Sequence, residues 1–168
     1  SAFLQVNREG AHAVHEMVMG ELGYPAGMMV IDAYAGVGGY ARRLARAGAV
    51  AVAIEVDAAA TRIAATEAPE GLTVDRGRVE DRITEYLPAD RVILNPPRAG
   101  VGEAVTDALV ASPVPRIVYV SCDPATLARD LSRLASAYSV VGVRAYDLFP
   151  QTAHVEIVVT LDAISAGV

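Results

Sequence analysis

The sequence contains no lysine, so all 14 of its basic residues are arginines, and 20 acidic residues give it a net charge of −6. A domain with this balance has no positive field that would attract nucleic acid non-specifically. No run of about 18 apolar residues is present, which argues against a membrane span. A basic segment followed by an apolar one is also missing, so we expect no secretory signal.

Cysteine is almost absent, because Cys122 is the single copy. One thiol cannot form an internal disulfide, and we therefore expect a cytoplasmic protein in a reducing compartment. The chain has 168 residues and a hydrophobic content of 53%, which is enough for one domain with a real core. We find no repeat, linker or low-complexity segment, so residues 1–168 are predicted to form a single domain.

Segments typical of strands and helices alternate along the chain. The strand-like segments are MMVIDAYAGVGG, which runs into a glycine turn, AVAIEVD, LTVDRG, RVILNPP, RIVYVSC, YSVVGVRAYDLF and HVEIVVTLD. The helix-like segments are REGAHAVHEMVMGEL, YARRLARAG, AAATRIAATEA, GEAVTDALVA and PATLARDLSRLA. Strands that are apolar on both faces indicate a mostly parallel sheet covered by helices on both sides. The predicted fold is an α/β, Rossmann-like, doubly wound sheet that ends in an antiparallel hairpin, because about six residues join the last two strands.

Polar residues and glycines stand where several of these strands end, which is the edge at which doubly wound sheets bind ligands. They are residues 32–39, Glu55, Asn95 with Pro96 and Pro97, Ser121 with Cys122, and, at the start of the antiparallel last strand, His154 and Glu156. Each of them alone would suit an ordinary loop, and we interpret His154 in that way. Their combination at one edge indicates a binding site.

The segment DAYAGVGG places Gly36 and Gly38 between a strand and a helix. Glycines there let the backbone approach a ligand, and the helix N-terminus adds partial positive charge. Glu55 ends the next strand, 19 residues after Gly36, where its carboxylate can accept hydrogen bonds from both hydroxyls of a ribose. Ala41 stands where a dinucleotide fingerprint has its third glycine, a position that tolerates alanine. The motif therefore leaves a dinucleotide, S-adenosylmethionine and a turn without ligand as alternatives.

The sequence NPPR, from Asn95 to Arg98, ends another predicted strand. In amino-methyltransferases the residue after NPP is an aromatic that stacks on the target base. Arg98 takes that place here, which argues against amine methylation. A strand that simply stops at two prolines is the alternative.

Cys122 lies between the strand IVYVS and a predicted helix. A lone cysteine is commonly a small core residue. Asp123 and Pro124, however, are typical of the N-cap and the first helical position, so the thiol is predicted to face a helix N-terminus, which favours thiolate. Glu156 alternates with apolar neighbours on its strand, and a solvent-facing strand residue is the alternative there.

These residues together resemble the RNA (uracil-5-)-methyltransferase family, whose members make 5-methyluridine in ribosomal and transfer RNA. The resembling segments run through the whole chain: FLQVN, DAYAGVGGYA, IEVD, LNPPRAGV, IVYVSCDPATLARDL and YDLFPQTAHVEIVVTL. The resemblance implies a class I methyltransferase fold, S-adenosylmethionine as the cofactor, and methyl transfer to C5 of a uridine in RNA. Ribosomal RNA is favoured over transfer RNA as the substrate.

The resemblance also implies roles for individual residues. Cys122 would be the nucleophile that adds to C6 of uracil, and Glu156 would be the base that removes the C5 proton. The residues predicted to bind the cofactor are Gln5, Tyr34, Gly36, Gly38, Gly39, Glu55, Arg78 and Asn95. Gly39 and Arg78 differ from the usual side chains at their positions. Asn95 replaces the usual aspartate, which keeps the hydrogen bonding but drops the charge.

Members of this family normally carry RNA-binding domains before the catalytic domain, including a small β-barrel, and some members have an iron–sulfur cluster. This sequence resembles the catalytic domain alone, so RNA is expected as the substrate of the full-length protein and the isolated chain is expected to be poorly active. We predict no metal site and no membrane partner for it. The alternatives are an exocyclic-amine methyltransferase that uses NPPR and a non-catalytic cofactor-binding domain.

Overall fold

The computed structural model describes residues 2–148 and 155–165, with side chains from residue 8 onward. The helices are α1 (Ala2–Leu22), α2 (Gly39–Arg46), α3 (Ala58–Ala65), α4 (Val79–Arg82), α5 (Glu103–Ala111) and α6 (Pro124–Leu134), with a 3-10 turn at Ile83–Glu85. The strands are β1 (Met29–Ala33), β2 (Val50–Glu55), β3 (Leu72–Arg76), β4 (Arg91–Leu94), β5 (Arg116–Ser121), β6 (Tyr138–Asp147) and β7 (Val155–Ala163). In these ranges, none of the helices has the length and apolar character needed to cross a membrane.

The described strands form one sheet in the order β3-β2-β1-β4-β5-β7-β6. The strands β1 to β5 are parallel, whereas β7 runs antiparallel to both β5 and β6. The chain moves outward from β1 to β3 and then returns to β4 on the other side of β1. This reversal is the topological switch point at which doubly wound sheets open a ligand crevice. The predicted fold class, a mostly parallel sheet with an antiparallel end, is confirmed.

Two buried clusters cover the two faces of the sheet. On one face, Val30 and Val118 belong to a cluster with apolar residues of α1 and α2. On the other face, their neighbours Ile31 and Ile117 belong to a cluster with residues of α5 and α6. The central strands are buried on both faces, which explains why their sequences are continuously apolar.

The observed elements differ from the predicted ones in three places. The first helix is predicted over Arg8–Leu22 and already begins at Ala2. The strand predicted in RVILNPP ends at Leu94, so Asn95 and both prolines belong to a loop. Helix α4 and the 3-10 turn after it are not predicted at all, because a single turn is too short to show an amphipathic repeat.

Candidate active site

A cavity of about 460 Å³ lies at the carboxyl edge of the sheet, around the ends of β1, β2 and β4. Four residues predicted to bind the cofactor, Tyr34, Glu55, Arg78 and Asn95, line it together. The other lining residues are Val56, Gly77, Val79, Glu80 and Pro97. The volume lies within the usual range of small-molecule sites, about 300–1,000 Å³. Of the segment from Gly77 to Glu80, which follows β3 at the same edge, only Arg78 was named from the sequence.

Glu55 connects this cavity to the glycine turn. Its Oε1 accepts a hydrogen bond from the N–H of Gly36 at 2.8 Å, and its Oε2 accepts one from the N–H of Asp57 at 2.7 Å. Each oxygen has a second lone pair, so Glu55 keeps acceptor capacity toward a ligand. Gly36 and Gly38 have φ angles of 59° and 80°, which glycine adopts without strain. These two glycines and Gly39, the first residue of α2, shape the turn beside the cavity rather than line it.

Tyr34 follows β1 and has a φ of 60°, which is uncommon outside glycine. Its side chain lines the cavity and also packs against the core cluster of α5 and α6. Burial, and after it the carboxylate of Glu80, raises the pKa of the Tyr34 hydroxyl above its ordinary value. Tyr34 therefore offers a neutral aromatic ring to a ligand.

Asp32, at the same edge, was given no role from the sequence. It is 1% exposed, and its Oδ2 accepts a hydrogen bond from the N–H of Ala41 at 3.1 Å. Its Oδ1 is buried and has no hydrogen-bond partner among the described residues. The pKa of Asp32 is raised to about 7 by three influences together. Burial is the largest and raises it, the hydrogen bond from the Ala41 N–H lowers it, and the charge of Glu55 raises it. An unpaired buried carboxylate oxygen is costly, so a donor from a ligand or a water would stabilise this residue.

Cys122 is exposed and directly follows β5. The alternative of a buried core cysteine is therefore wrong. Helix α6 begins at Pro124, and Asp123 caps it: its Oδ1 accepts hydrogen bonds from the N–H groups of Ala125 at 2.9 Å and Thr126 at 3.1 Å. The predicted cap is thus confirmed. Because the carboxylate of Asp123 already accepts hydrogen bonds from these two N–H groups, the thiol of Cys122 shares the helix N-terminus with another acceptor.

Glu156 lies on β7, beside the end of β5. Ser121 pairs with Ile157 in the antiparallel register of the two strands, so Cys122 and Glu156 occupy the next positions along them. Burial raises the pKa of Glu156, and a carboxylate with a raised pKa is a better proton acceptor. Glu156 lines a second cavity, of about 160 Å³. The other residues of this cavity are Ala11, Val14, Tyr40, Asn95, Val120 and Leu148.

Asn95 lines both cavities, so one amide stands where they approach each other. Tyr40 forms part of the smaller cavity and stacks on His15, with ring centroids 4.5 Å apart and an interplanar angle of 8°. Burial and then the carboxylates of Asp32 and Glu156 raise the pKa of Tyr40 to about 12. Tyr40 has no signal in the sequence beyond its place after the glycine turn. The two cavities share Asn95, and the smaller one is lined by Glu156, whose position on β7 is opposite that of the exposed Cys122.

Two residues named from the sequence cannot be placed in this site. Gln5 belongs to α1, but its side chain lies outside the described residues, and His154 lies outside them entirely. Within residues 2–148 and 155–165, no group of three or more His, Cys, Asp or Glu side chains could hold a metal ion.

The sequence profile of the tRNA (uracil-5-)-methyltransferase family matches residues 55–164, which is more than half of the chain. A protein of Thermotoga maritima described as an uncharacterised RNA methyltransferase is 36% identical over 167 residues, covering 96% of this chain and 38% of the relative. One of Gloeobacter violaceus with the same description is 40% identical over 167 residues, covering 96% of this chain and 36% of the relative. The chain therefore spans little more than a third of the length of these curated relatives.

Solved structures show the same fold. The Pyrococcus abyssi tRNA (uracil-54, C5)-methyltransferase in complex with S-adenosyl-L-homocysteine superimposes with a TM-score of 0.75 and 29% identity, covering 87% of this chain and 37% of that one. The N-methyltransferase NodS of Bradyrhizobium japonicum, also bound to S-adenosyl-L-homocysteine, gives a TM-score of 0.76 at 15% identity over 92% of this chain and 87% of that one. At that identity the second likeness concerns the fold alone, which is that of class I methyltransferases.

Proposed function

Because the chain belongs to the tRNA (uracil-5-)-methyltransferase family, we propose that it transfers a methyl group from S-adenosylmethionine to C5 of a uridine in RNA. The observation that carries this proposal is the position of the exposed Cys122 beside the half-buried Glu156, next to a cavity that shares Asn95 with the larger one. A soft nucleophile, a proton acceptor and a cofactor-sized cavity at one edge are the parts that methylation of a pyrimidine carbon requires.

The larger cavity suits S-adenosylmethionine. The carboxylate of Glu55 retains lone pairs for ribose hydroxyls, and the Tyr34 ring supplies an apolar surface. The Oδ1 of Asp32 has no hydrogen-bond partner among the described residues, and the cofactor's ammonium group, directly or through a water, would provide a donor. When bound, the cofactor supplies a methyl group activated by its sulfonium centre. The relative from Pyrococcus abyssi was solved with the demethylated form of the same cofactor.

Cys122 and Glu156 divide the chemistry between them. C5 of uracil is a poor nucleophile, so the thiolate of Cys122 first forms a bond to C6, and the electron pair of the C5–C6 double bond passes into an enolate. C5 is then able to accept the methyl group. Glu156 next removes the proton from C5, the double bond re-forms, and the Sγ–C6 bond breaks to release the thiolate. The raised pKa of Glu156 suits this acceptor role.

The identity of the RNA is part of the proposal. Ribosomal RNA is the substrate that we favour from the family resemblance, whereas the Pyrococcus abyssi relative is named for uracil 54 of transfer RNA. Both RNAs therefore belong in the test, incubated with the full-length gene product and methyl-labelled S-adenosylmethionine.

In that assay, the Glu156→Gln variant should retain labelled RNA bound through Cys122 after denaturing electrophoresis, because removal of the base blocks the elimination that follows methyl transfer. Cys122→Ala should give neither the adduct nor methylation. Glu70→Gln, which changes an exposed carboxylate just before Gly71 and β3, at the opposite edge of the sheet, is the matched control and should behave like the unsubstituted protein.

The outcome separates the alternatives. Methylation of an exocyclic amine through NPPR predicts that activity survives Cys122→Ala. A non-catalytic cofactor-binding domain predicts cofactor binding without labelled RNA in any variant. Methylation at a near-normal rate in Cys122→Ala would exclude the uracil-C5 mechanism.

A further inference from the structure

Arg98, the residue after the double proline, has no part in the mechanism above. Its side chain is exposed. Within the described residues, only its backbone carbonyl takes part in a hydrogen bond, so the guanidinium has no partner there. The two residues before it in the same loop that face a cavity, Asn95 and Pro97, both line the larger one. Arg98 therefore follows a residue of the cavity wall in the sequence, and its guanidinium has no partner among the described residues.

Helix α6, which begins just after the nucleophile, holds the loop that carries Arg98. Thr126 donates a hydrogen bond from its Oγ1 to the carbonyl of Arg98 at 2.9 Å, and the same hydroxyl lies 3.3 Å from the carbonyl of Asp123. Arg129 donates from its Nη2 to the carbonyl of Ala99 at 2.7 Å. One hydroxyl thus links the backbone of Arg98 to the residue that follows Cys122.

A buried carboxylate completes this attachment. Asp130 is fully buried, and its Oδ2 accepts hydrogen bonds from the N–H of Val101 at 2.8 Å and from the hydroxyl of Tyr119 at 2.6 Å. Gly100 has a φ of 76°, and a Cβ there would lie 2.6 Å from the same oxygen. The loop therefore approaches α6 as closely as a glycine allows. A loop fixed in this way presents Arg98 at little cost in backbone entropy when a ligand binds.

We infer that Arg98 binds a phosphate of the single-stranded RNA whose uridine is presented to Cys122, an inference that rests on RNA being the substrate of the proposed function. The guanidinium is a planar donor group that matches a phosphate in a bidentate arrangement. The chain has a net charge of −6 and cannot attract RNA through its overall field, so any contact that it makes with a phosphate depends on local arginines. The carboxylate of Asp123, the residue that Thr126 links to the backbone of Arg98, is already engaged with backbone N–H groups of the helix.

The inference is tested by equilibrium binding of a fluorescent uridine pentanucleotide to the full-length gene product between about 50 and 200 mM salt. Arg98→Gln should weaken binding about three- to tenfold at the lowest salt, and the slope of log affinity against log salt should fall by about 0.7, the value for one phosphate contact on a single strand. Arg46→Gln is the matched control, because it removes the same charge from a residue that ends α2 at the opposite edge of the sheet.

Equal affinities and slopes for the two variants would overturn the inference, as would the absence of measurable binding by the unsubstituted protein. A second measurement separates this result from the chemistry. With S-adenosylmethionine present, a 5-fluorouridine oligonucleotide should trap an adduct on Cys122, because after methyl transfer C5 carries a methyl group and fluorine and has no proton to lose. A loss of binding confined to Arg98→Gln, without any adduct in the unsubstituted protein, would support the phosphate contact and count against the proposed function. An adduct that forms equally well in the unsubstituted protein and Arg98→Gln, with equal binding, would leave the proposed function standing and remove the phosphate contact.

Discussion

The residue with the most unusual environment is Asp32, a buried carboxylate with one oxygen unpaired among the described residues. Its pKa rises from 3.8 to about 7 on folding, mainly through burial. The folded state therefore favours the protonated form. The contribution of Asp32 to stability is fully present below about pH 4 and is lost as the pH rises through about 7.

We therefore expect Asp32→Asn to raise the free energy of unfolding of the ligand-free chain at pH 8, by up to about 4 kcal/mol for a shift of about three pKa units. At pH 5 the gain should be much smaller, because the native carboxyl is then largely protonated. Urea unfolding at the two pH values measures both. Asp81→Asn, which removes an exposed carboxylate of α4, is the control and should show no such difference between the two pH values. An equal effect of Asp32→Asn at both pH values would contradict this account.

At the scale of the element, two helices at the ligand edge begin with the same device. Asp57 caps α3 by accepting from the N–H of Ala60 at 2.7 Å, and Asp123 caps α6 through two such bonds. Loss of a cap costs about 1 kcal/mol, within a range of about 0.5–2 kcal/mol. Asp57→Ala and Asp123→Ala should each lower the melting temperature by about 2–4 °C, and the double variant should lose the sum, because the caps lie on separate helices. Asparagine also caps helices, so Asp57→Asn and Asp123→Asn should lose less than the alanine variants. Equal losses of melting temperature in the asparagine and the alanine variants, measured by calorimetry, would contradict the cap assignment.

The elements also show what the sequence can predict and where it fails. The central strands were predicted because both of their faces are buried, which leaves a continuous apolar run in the sequence. Asp123 and Pro124 revealed the start of α6 because capping depends on local chemistry. Helix α4 was missed because one helical turn has no period. The positions of Asp32 and Tyr40 at the site were missed because their burial comes from packing between segments far apart in the sequence.

The attachment of the NPPR loop to α6 belongs to the same scale. No local pattern in the sequence connects Gly100 with Asp130, which lie 30 residues apart along the chain and meet only in the folded protein. The family resemblance predicted roles for Cys122 and Glu156. In the structure, β5, which ends just before Cys122, pairs with β7, which carries Glu156. The contacts that fix the loop beside them come from tertiary packing and have no local signature in the sequence.

At the scale of the whole molecule, two properties bear on RNA binding: the net charge of the chain and the share of its relatives' length that it covers. The chain carries a net charge of −6, and it aligns with 36 to 38% of the length of the two curated relatives described above. Most of each relative therefore lies outside the aligned region. We propose that RNA affinity in this family comes largely from those other parts, while this chain contributes the chemistry and local contacts such as Arg98.

The 168-residue chain alone should then bind ribosomal or transfer RNA more weakly than about 100 μM at physiological salt, the weak end of non-specific nucleic-acid binding, because it has no attractive overall field. Gel-shift titration with each RNA measures this. The same chain should still bind S-adenosylmethionine, because Tyr34, Glu55 and Asn95 all lie within it, and calorimetry on that complex serves as the control for correct folding. Micromolar or tighter binding of either RNA by the chain alone would show that the determinants of RNA affinity lie within these 168 residues, and the proposed division between chemistry and binding would be wrong.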